Sequence, residues 1–435
     1  MQEIYDFCKK IFPICRSLTG EGVRETLRAI STNLGGMPLD VKAVPSGTQV
    51  FDWTIPKEWR IREAFIEDEA GEKIIDFKKN NLHVMGYSTP VDTWLSLEEL
   101  KEHIYTQPDQ PNVIPYVTSY YKERWGFCMS QEQKDALKPG KYHAVIDSEL
   151  FNGVLNYGEV FIPSNTNSSS EKDGKDEIFF STYVCHPSMA NNECSGPALA
   201  AALIRYVKDM PKRRYGYRFI FIPETIGSIT YLSQDGHLEY LKKHMLAGFN
   251  LSCVGDDKDY SIVESRYGDT LADKALKNIL DFHTNGHYTK YSFLGRGSDE
   301  RQFNAPGIEL PFVCYSRSKF GAYPEYHTSA DDMNFVSVEG FQGSYDVITK
   351  LIETLEKNRK YKITVLGEPQ LGKRGLYPTI SQKGSYSEIT AMMDFIAYAD
   401  GKNDVYDISN IIGVSAYDLL PIIKKLADNK LLEAM

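Results

Sequence analysis

Three features of the 435-residue sequence predict an α/β fold in which helices sandwich a largely parallel or mixed sheet. Residues 178–184 form a continuous, mainly apolar run of the kind that fills a strand buried on both faces. Residues 198–207, rich in alanine and leucine, read as a helix of good intrinsic propensity. Phe219, Ile220, Phe221 and Ile222 then read as a second buried strand. Alternation of strand, helix and strand requires crossover connections, hence parallel pairing with helices on both faces. In such sheets, sites collect in loops at the carboxyl ends of the strands.

The other elements follow in chain order. Within residues 1–45, Ile4, Phe7, Cys8 and Ile11, then Val23, Leu27 and Ile30, recur at helical spacing until Gly35, Gly36 and Pro38 interrupt it. Over residues 55–150 Trp, Tyr and Pro are frequent, and strand-like pieces alternate with turns such as Lys138-Pro139-Gly140, which marks a separate strand-rich module. Residues 159–163 read as a strand, and 164–176, rich in Ser, Asn and charge, as an exposed loop. The C-terminal stretch forms a third unit. A helix over 386–399 is followed by residues 407–414 and a helix carrying Leu419, Leu420, Ile423 and Leu426. With Gly413 in the turn and Ser415 as N-cap, this is helix–turn–helix spacing, and Leu431-Leu432 is where a wing would begin.

Composition excludes some roles. A formal charge of −10 argues against general nucleic-acid binding, which needs clustered Lys and Arg. From Gly384 to Met435, four lysines and no arginine stand against eight acidic residues. That is the wrong sign for phosphate contacts, so this unit is expected to meet a protein partner or a second copy of the chain rather than DNA. No apolar run approaches the roughly 20 residues of a membrane-spanning helix. Met1 to Asp6 lacks the basic and apolar regions of a signal peptide. Seven scattered cysteines without a CxxC pair fit reduced thiols, and a cytoplasmic location is expected.

Three segments carry chemistry. His186 follows the strand at 178–184, and Glu193 returns just before the small-residue helix. A neutral imidazole and a carboxylate are good zinc ligands, although a helix N-terminus capped by Asn192 or Ser195 explains the segment equally well. Glu224 ends the strand at 219–222 after Pro223, where a carboxylate can act as general base for a water at a metal. Taken alone, it reads better as a cap of the next helix or the partner of an arginine. The third segment joins Ser298-Asp299 to Tyr326-His327-Thr328, with Asp331 and Asp332 just beyond. His327 offers a second imidazole, Asp331 or Asp332 a carboxylate to fix its tautomer, and Asp299 an outer partner. Cys185 and Cys194 flank the site as small buried residues.

In this order the segments resemble the co-catalytic zinc aminopeptidase superfamily, which also contains glutaminyl cyclases and the transferrin receptor ectodomain. The residues that carry the resemblance are His186, Asn191 with Ser195-Gly196, Glu224 with Gly227-Ser228, Ser298-Asp299 with Phe303, and Tyr326-His327-Thr328. They span residues 1–50 and 155–360. The whole chain is more specifically similar to bacterial proteins that join such a core to an inserted domain and a C-terminal winged helix, often near polysaccharide-biosynthesis genes. The resemblance implies a zinc-aminopeptidase-like core of residues 1–54 and 151–364, a strand-rich insertion over 55–150, and a winged-helix domain over 365–435.

The departures from the family pattern bear on the metal. The bridging aspartate position holds Asn192, the second of the paired glutamates is Thr225, and a later aspartate is Ser252. A two-metal site needs a bridging carboxylate, so the expectation is one zinc ion held by His186, Glu193 and His327. Three protein ligands plus water is the form of catalytic zinc. Glu224 is then the catalytic base or a further ligand, with Asn192, Asp299, Tyr326, Asp331 and Asp332 as substrate-binding or supporting residues.

The expected function is hydrolysis of a peptide or amide bond by a zinc aminopeptidase-like enzyme, with Arg266, Arg296 and Arg317 as rim candidates for a substrate carboxylate. Two alternatives accompany it. The missing ligands favour a degenerate core acting as a binding or scaffold module. An amide hydrolase acting in surface-polysaccharide biosynthesis would use the same amide-activating site.

Overall fold

The computed structural model describes residues 1–120, 122–166, 176–377 and 387–435. Most of the predicted loop at 164–176 lies outside the described residues, as does Tyr386 at the start of the predicted C-terminal helix.

Eight strands make the central sheet: β1 (Asp40–Pro45), β2 (Val154–Ile162), β3 (Glu177–Tyr183), β4 (Gly216–Ile222), β5 (Met245–Leu251), β6 (Ser261–Val263), β7 (Thr289–Tyr291) and β8 (Phe312–Ser316). Their spatial order is β1-β2-β4-β3-β5-β8-β6-β7. Strands β4, β3, β5 and β8 run parallel, while β1 on β2, β2 on β4 and β6 on β8 are antiparallel. The sheet is therefore mixed, with its parallel strands at the centre. Residues 40–45, read within the helical N-terminal segment, instead form the edge strand β1; the helix ends at Ser31, and Gly35 and Gly36, both at positive φ, turn the chain before the strand.

The long helices are α1 (Gln2–Ile11), α2 (Glu21–Ser31), α3 (Ser195–Asp209), α4 (Ile226–Ser233), α5 (Leu271–His283) and α6 (Val338–Lys357). Both faces of β3 are buried: Ile178 and Phe180 join a cluster with α1, α2, α3, α5 and α6, and Phe179 and Tyr183 join the opposite one. The apolar stripes of α1 (Ile4, Phe7, Cys8, Ile11) and α2 (Val23, Leu27, Ile30) face the first cluster. Gly196 sets the approach of α3 to the sheet, since a Cβ there would lie 2.1 Å from Thr182 Oγ1 and 2.6 Å from the Leu251 carbonyl.

On the opposite face lies a four-stranded antiparallel sheet ordered Lys73–Asp76, Glu58–Asp68, Lys141–Phe151 and Val91–Ser96. After α6 come α7 (Ser387–Tyr398), α8 (Val405–Ile412) and α9 (Leu419–Asp428), with a wing formed by Tyr361–Ile363 against Leu432–Ala434. Gly413 ends α8 in the left-handed conformation, as its place in the turn required. Ser415 does not cap α9. Its hydroxyl accepts the Tyr417 N–H, and a turn over 416–418 precedes the helix, which begins at Leu419. Among the described residues no helix is long and apolar enough to cross a membrane.

Candidate active site

Tyr183 on β3 is in register with Ile222 on β4, so the two strands end side by side and deliver His186 and Glu224 to one place. The Glu224 carboxylate lies 3.7 Å from His186 Nε2, and its backbone N–H donates to Cys185 Sγ at 3.1 Å. His327 arrives on the loop after β8, its ring 5.4 Å from that of His186 and stacked at 3.8 Å on Tyr326. The three side chains line a cavity of about 200 Å³ together with Leu18, Thr118, Cys185 and Ile226. Tyr116 and Tyr120 of the four-stranded module's own chain segment close it.

Strained backbone holds this arrangement. Thr225 adopts φ 63° and ψ −70°, with the Ile226 N–H donating to the Glu224 carbonyl at 2.7 Å, which is a γ-turn of the rare, strained kind. Asp299 pins it by accepting the Thr225 N–H at 2.8 Å and the Ser228 hydroxyl at 2.9 Å, and Arg301 donates to the Thr225 hydroxyl. His327 and Cys253 also have positive φ, 57° and 55°. Strained non-glycine residues persist where the surroundings over-determine them, and two of these, Thr225 and His327, line the cavity.

Burial governs the protonation states. It pushes His186 and His327 down to about 3, so both imidazoles are neutral. Burial, aided by Asp299, pushes Glu224 up to about 8, and burial raises Asp299 to about 7. Glu193 is buried behind His186, one carboxylate oxygen 3.0 Å from Nδ1 and the other 3.3 Å from the guanidinium of Arg16. Burial raises this carboxyl and Arg16 opposes the rise. A guanidinium stays charged throughout the range in which proteins are folded, so we take Glu193 as its ionised partner.

Two faces of His186 could take a cation. On the Nδ1 face, Cys185, His186 and Glu193 offer three buried ligand atoms within 4.8 Å of one another. There the Arg16 guanidinium already neutralises Glu193 and would repel a dication. The Nε2 face looks toward Glu224 and the cavity, and His327 Nε2 is buried without a hydrogen-bond partner. Neutral imidazoles beside a carboxylate suit zinc. The donor types suit a cation on this second face, although among the described residues only the Nδ1 group brings three ligand atoms within 4.8 Å of one another.

The other expected residues are distributed around the site. Asp331 accepts the N–H groups of Asn191 and Asn192 at 2.6 and 2.9 Å and the Tyr323 hydroxyl at 3.1 Å. Asp332 binds the N–H and amide of Asn334 in a local turn. Asn192 donates to the Tyr183 hydroxyl at 2.8 Å, which in turn meets Ser252 Oγ at 2.6 Å. Arg266 pairs with Glu309, Arg296 with the Phe293 carbonyl, and Arg317 with the Asp259 and Gly340 carbonyls. Sequence reasoning passed over Arg16, Tyr116, Tyr120 and Arg301. The only signal for the two tyrosines was the aromatic and proline content around Pro115.

Comparisons with known proteins bear on the family and the fold. A family profile described as a domain of unknown function (DUF4910) matches residues 5–358, and a winged helix-turn-helix profile matches residues 359–434. A Clostridium acetobutylicum protein, named as a candidate polysaccharide biosynthesis protein with an aminopeptidase-like domain, is 43% identical over 409 residues, covering 94% of this chain and 90% of its own. A crystal structure from Clostridium acetobutylicum, described as a candidate peptidase, matches with a TM-score of 0.90 at 40% identity, covering 100% of this chain and 96% of that one. A zinc aminopeptidase from Bacillus subtilis shares the fold with a TM-score of 0.58 at 14% identity, over 81% of this chain and 94% of that one. The protein therefore belongs to the DUF4910 family, with an aminopeptidase-like α/β core followed by a winged helix-turn-helix domain.

Proposed function

We propose that this protein is a metal-dependent hydrolase of amide bonds that works with a single zinc ion. The observation that carries the reading is the meeting of two neutral imidazoles, His186 buried and His327 half-buried, with Glu224 in one small cavity at the carboxyl ends of parallel strands. The aminopeptidase-like relatives support the reaction class, and the relative named for polysaccharide biosynthesis supports an amide in that setting. His186 and His327 would hold the ion. When bound, zinc supplies Lewis acidity toward the scissile carbonyl. Glu193, tied to His186 Nδ1 and Arg16, serves in this proposal by fixing the tautomer and ring orientation of His186. Glu224 takes the proton of the attacking water and returns it to the leaving nitrogen. Burial raises this carboxyl to about 8 in the metal-free chain, and a neighbouring zinc ion would favour its ionised, proton-accepting form.

The proposal places the protein in the cytoplasm with all seven cysteines free. It assigns the winged helix to a protein contact rather than DNA. Asn278 on α5 donates to Ser409 and Asn410 and accepts the Ala416 N–H, which fastens the start of the helix–turn–helix to the core. The 55–150 insertion and the core boundaries at 1–54 and 151–364 belong to the same proposal.

A second reading, a binding module on this fold, is favoured by the occupation of Glu193 by Arg16. Metal analysis and amide hydrolysis on the purified chain separate the two. The enzyme reading expects about one zinc per chain, lost on His186→Ala or His327→Ala. It expects Glu224→Gln to keep the zinc and lose activity by about 10²-fold or more. A zinc-loaded chain whose hydrolysis is indifferent to Glu224→Gln would remove Glu224 from the mechanism.

A further inference from the structure

We infer that residues 114–120 build a subsite for a short, uncharged acyl group, so that the substrate is an N-acyl amide rather than the ammonium end of a peptide. This deepens the hydrolase reading above and rests on it.

The segment is sewn to the His327 loop. The Tyr116 N–H donates to the His327 carbonyl at 2.8 Å, the Ser329 N–H to the Ile114 carbonyl at 2.8 Å, and the Ile114 N–H to Ser329 Oγ at 2.9 Å. The Tyr116 ring then sits 5.2 Å from that of His186 and 4.9 Å from that of His327. Its hydroxyl meets that of Tyr120 at 2.9 Å. Tyr120 packs edge-on against Tyr87 at 5.1 Å, and Tyr87 stacks on Trp59 at 5.9 Å. This aromatic series backs Tyr116, so the wall is pre-set rather than adaptable.

What lines the cavity decides what can enter it. Among the described residues that line it there is no lysine or arginine, and Glu224 is the single carboxylate. Glu224 is already engaged in proton transfer. A substrate ammonium would therefore enter without an anionic partner, and burying an unpaired charge is strongly unfavourable. A substrate carboxylate would meet no cationic side chain. A neutral acyl group meets Leu18, Ile226 and the tyrosine rings, where apolar contact is favourable. Within the tyrosine pair one hydroxyl donates to the other, which leaves the second proton free for a substrate oxygen. A volume of about 200 Å³ is also below the roughly 300–1,000 Å³ of pockets for drug-sized ligands. The acyl group must be short.

The test uses the full zinc-supplemented chain with two probes, N-acetylglucosamine and L-leucinamide, followed by ligand-observed NMR and by product formation. The acetyl probe is expected to bind, with saturation transfer strongest at its methyl group, and leucinamide about tenfold or more weakly. Leucinamide binding as tightly, or an acetyl methyl that receives no saturation, overturns the proposal. Tyr116→Ala is expected to shift preference from N-acetyl toward N-hexanoylglucosamine by about tenfold. An unchanged preference overturns the role given to Tyr116, and Tyr116→Leu supplies the same comparison should the alanine variant not fold. Binding of the acetyl probe without hydrolysis of either compound would refute the hydrolase reading and leave the subsite standing.

Discussion

Arg16 is buried and uses all its nitrogens: Nε to the His186 carbonyl at 2.8 Å, Nη1 to the Ile11 carbonyl at 2.7 Å and Nη2 to Cys194 Sγ at 3.1 Å. With Glu193 it forms a buried ion pair, whose desolvation is offset only when the remaining donors and acceptors are also satisfied. Removing one partner leaves the other charged and alone. Arg16→Met is therefore expected to destabilise the chain by about 3–5 kcal/mol, read from urea unfolding. Combining it with Glu193→Leu is expected to recover much of that loss. A double variant as unstable as the sum of its parts would show the pair to be uncoupled. His186, Glu224 and His327 were legible in the sequence because each stands in a short local pattern beside a strand or loop signal. Arg16 carried no such pattern. Its partners at the site, His186, Glu193 and Cys194, lie far along the chain, and only the folded arrangement makes it part of the site.

The start of α3 shows the same limit at the scale of an element. The sequence marked a helix at 198–207, and small residues that pack closely on the sheet explain why that signal was readable. The helix in fact begins at Ser195, after a π-helical turn over Ala190–Cys194. Neither Asn192 nor Ser195 caps that turn. Asp331, 140 residues further on, accepts its Asn191 N–H, so the cap was invisible to any local reading. A carboxylate at a helix N-terminus satisfies free N–H groups and interacts favourably with the helix dipole. Asp331→Ala is expected to destabilise the fold by about 0.5–2 kcal/mol through the lost cap. Asp331→Asn, which keeps an acceptor, is expected to lose less. Thermal unfolding of the two variants checks the order, and equal losses would mean that charge rather than capping dominates. By contrast, β3 and β4 were read correctly because burial on both faces leaves an unbroken apolar run.

At the scale of the whole molecule, the site lies where core and module meet, and its burial couples stability to pH. His186 and His327 are held at about 3 by burial, whereas in the unfolded chain a histidine titrates near 6.5. Between these values the unfolded chain binds more protons, so the histidines' contribution is present above pH ~6.5 and is lost as pH falls toward 3. Glu224, raised to about 8, and Asp299 and Asp331, raised to about 7, act in the opposite sense. They take up protons on folding, so their contribution is full below pH ~4 and is lost as pH rises through 7 to 8. The two slopes oppose each other between pH ~4 and 6.5, and only the acids act above it. Three acids outweigh two histidines in that window, so the metal-free chain is expected to be most stable near pH ~4 and to weaken toward pH 8. Zinc should change that profile, because it binds neutral imidazoles and favours an ionised carboxylate nearby. The increase in Tm on adding zinc over EDTA is expected to grow from pH 6.5 to 8. The histidines are already neutral across that range, so the growth would come from relief of the acid group beside them. A zinc increment that shrinks with rising pH would place the ion away from Glu224.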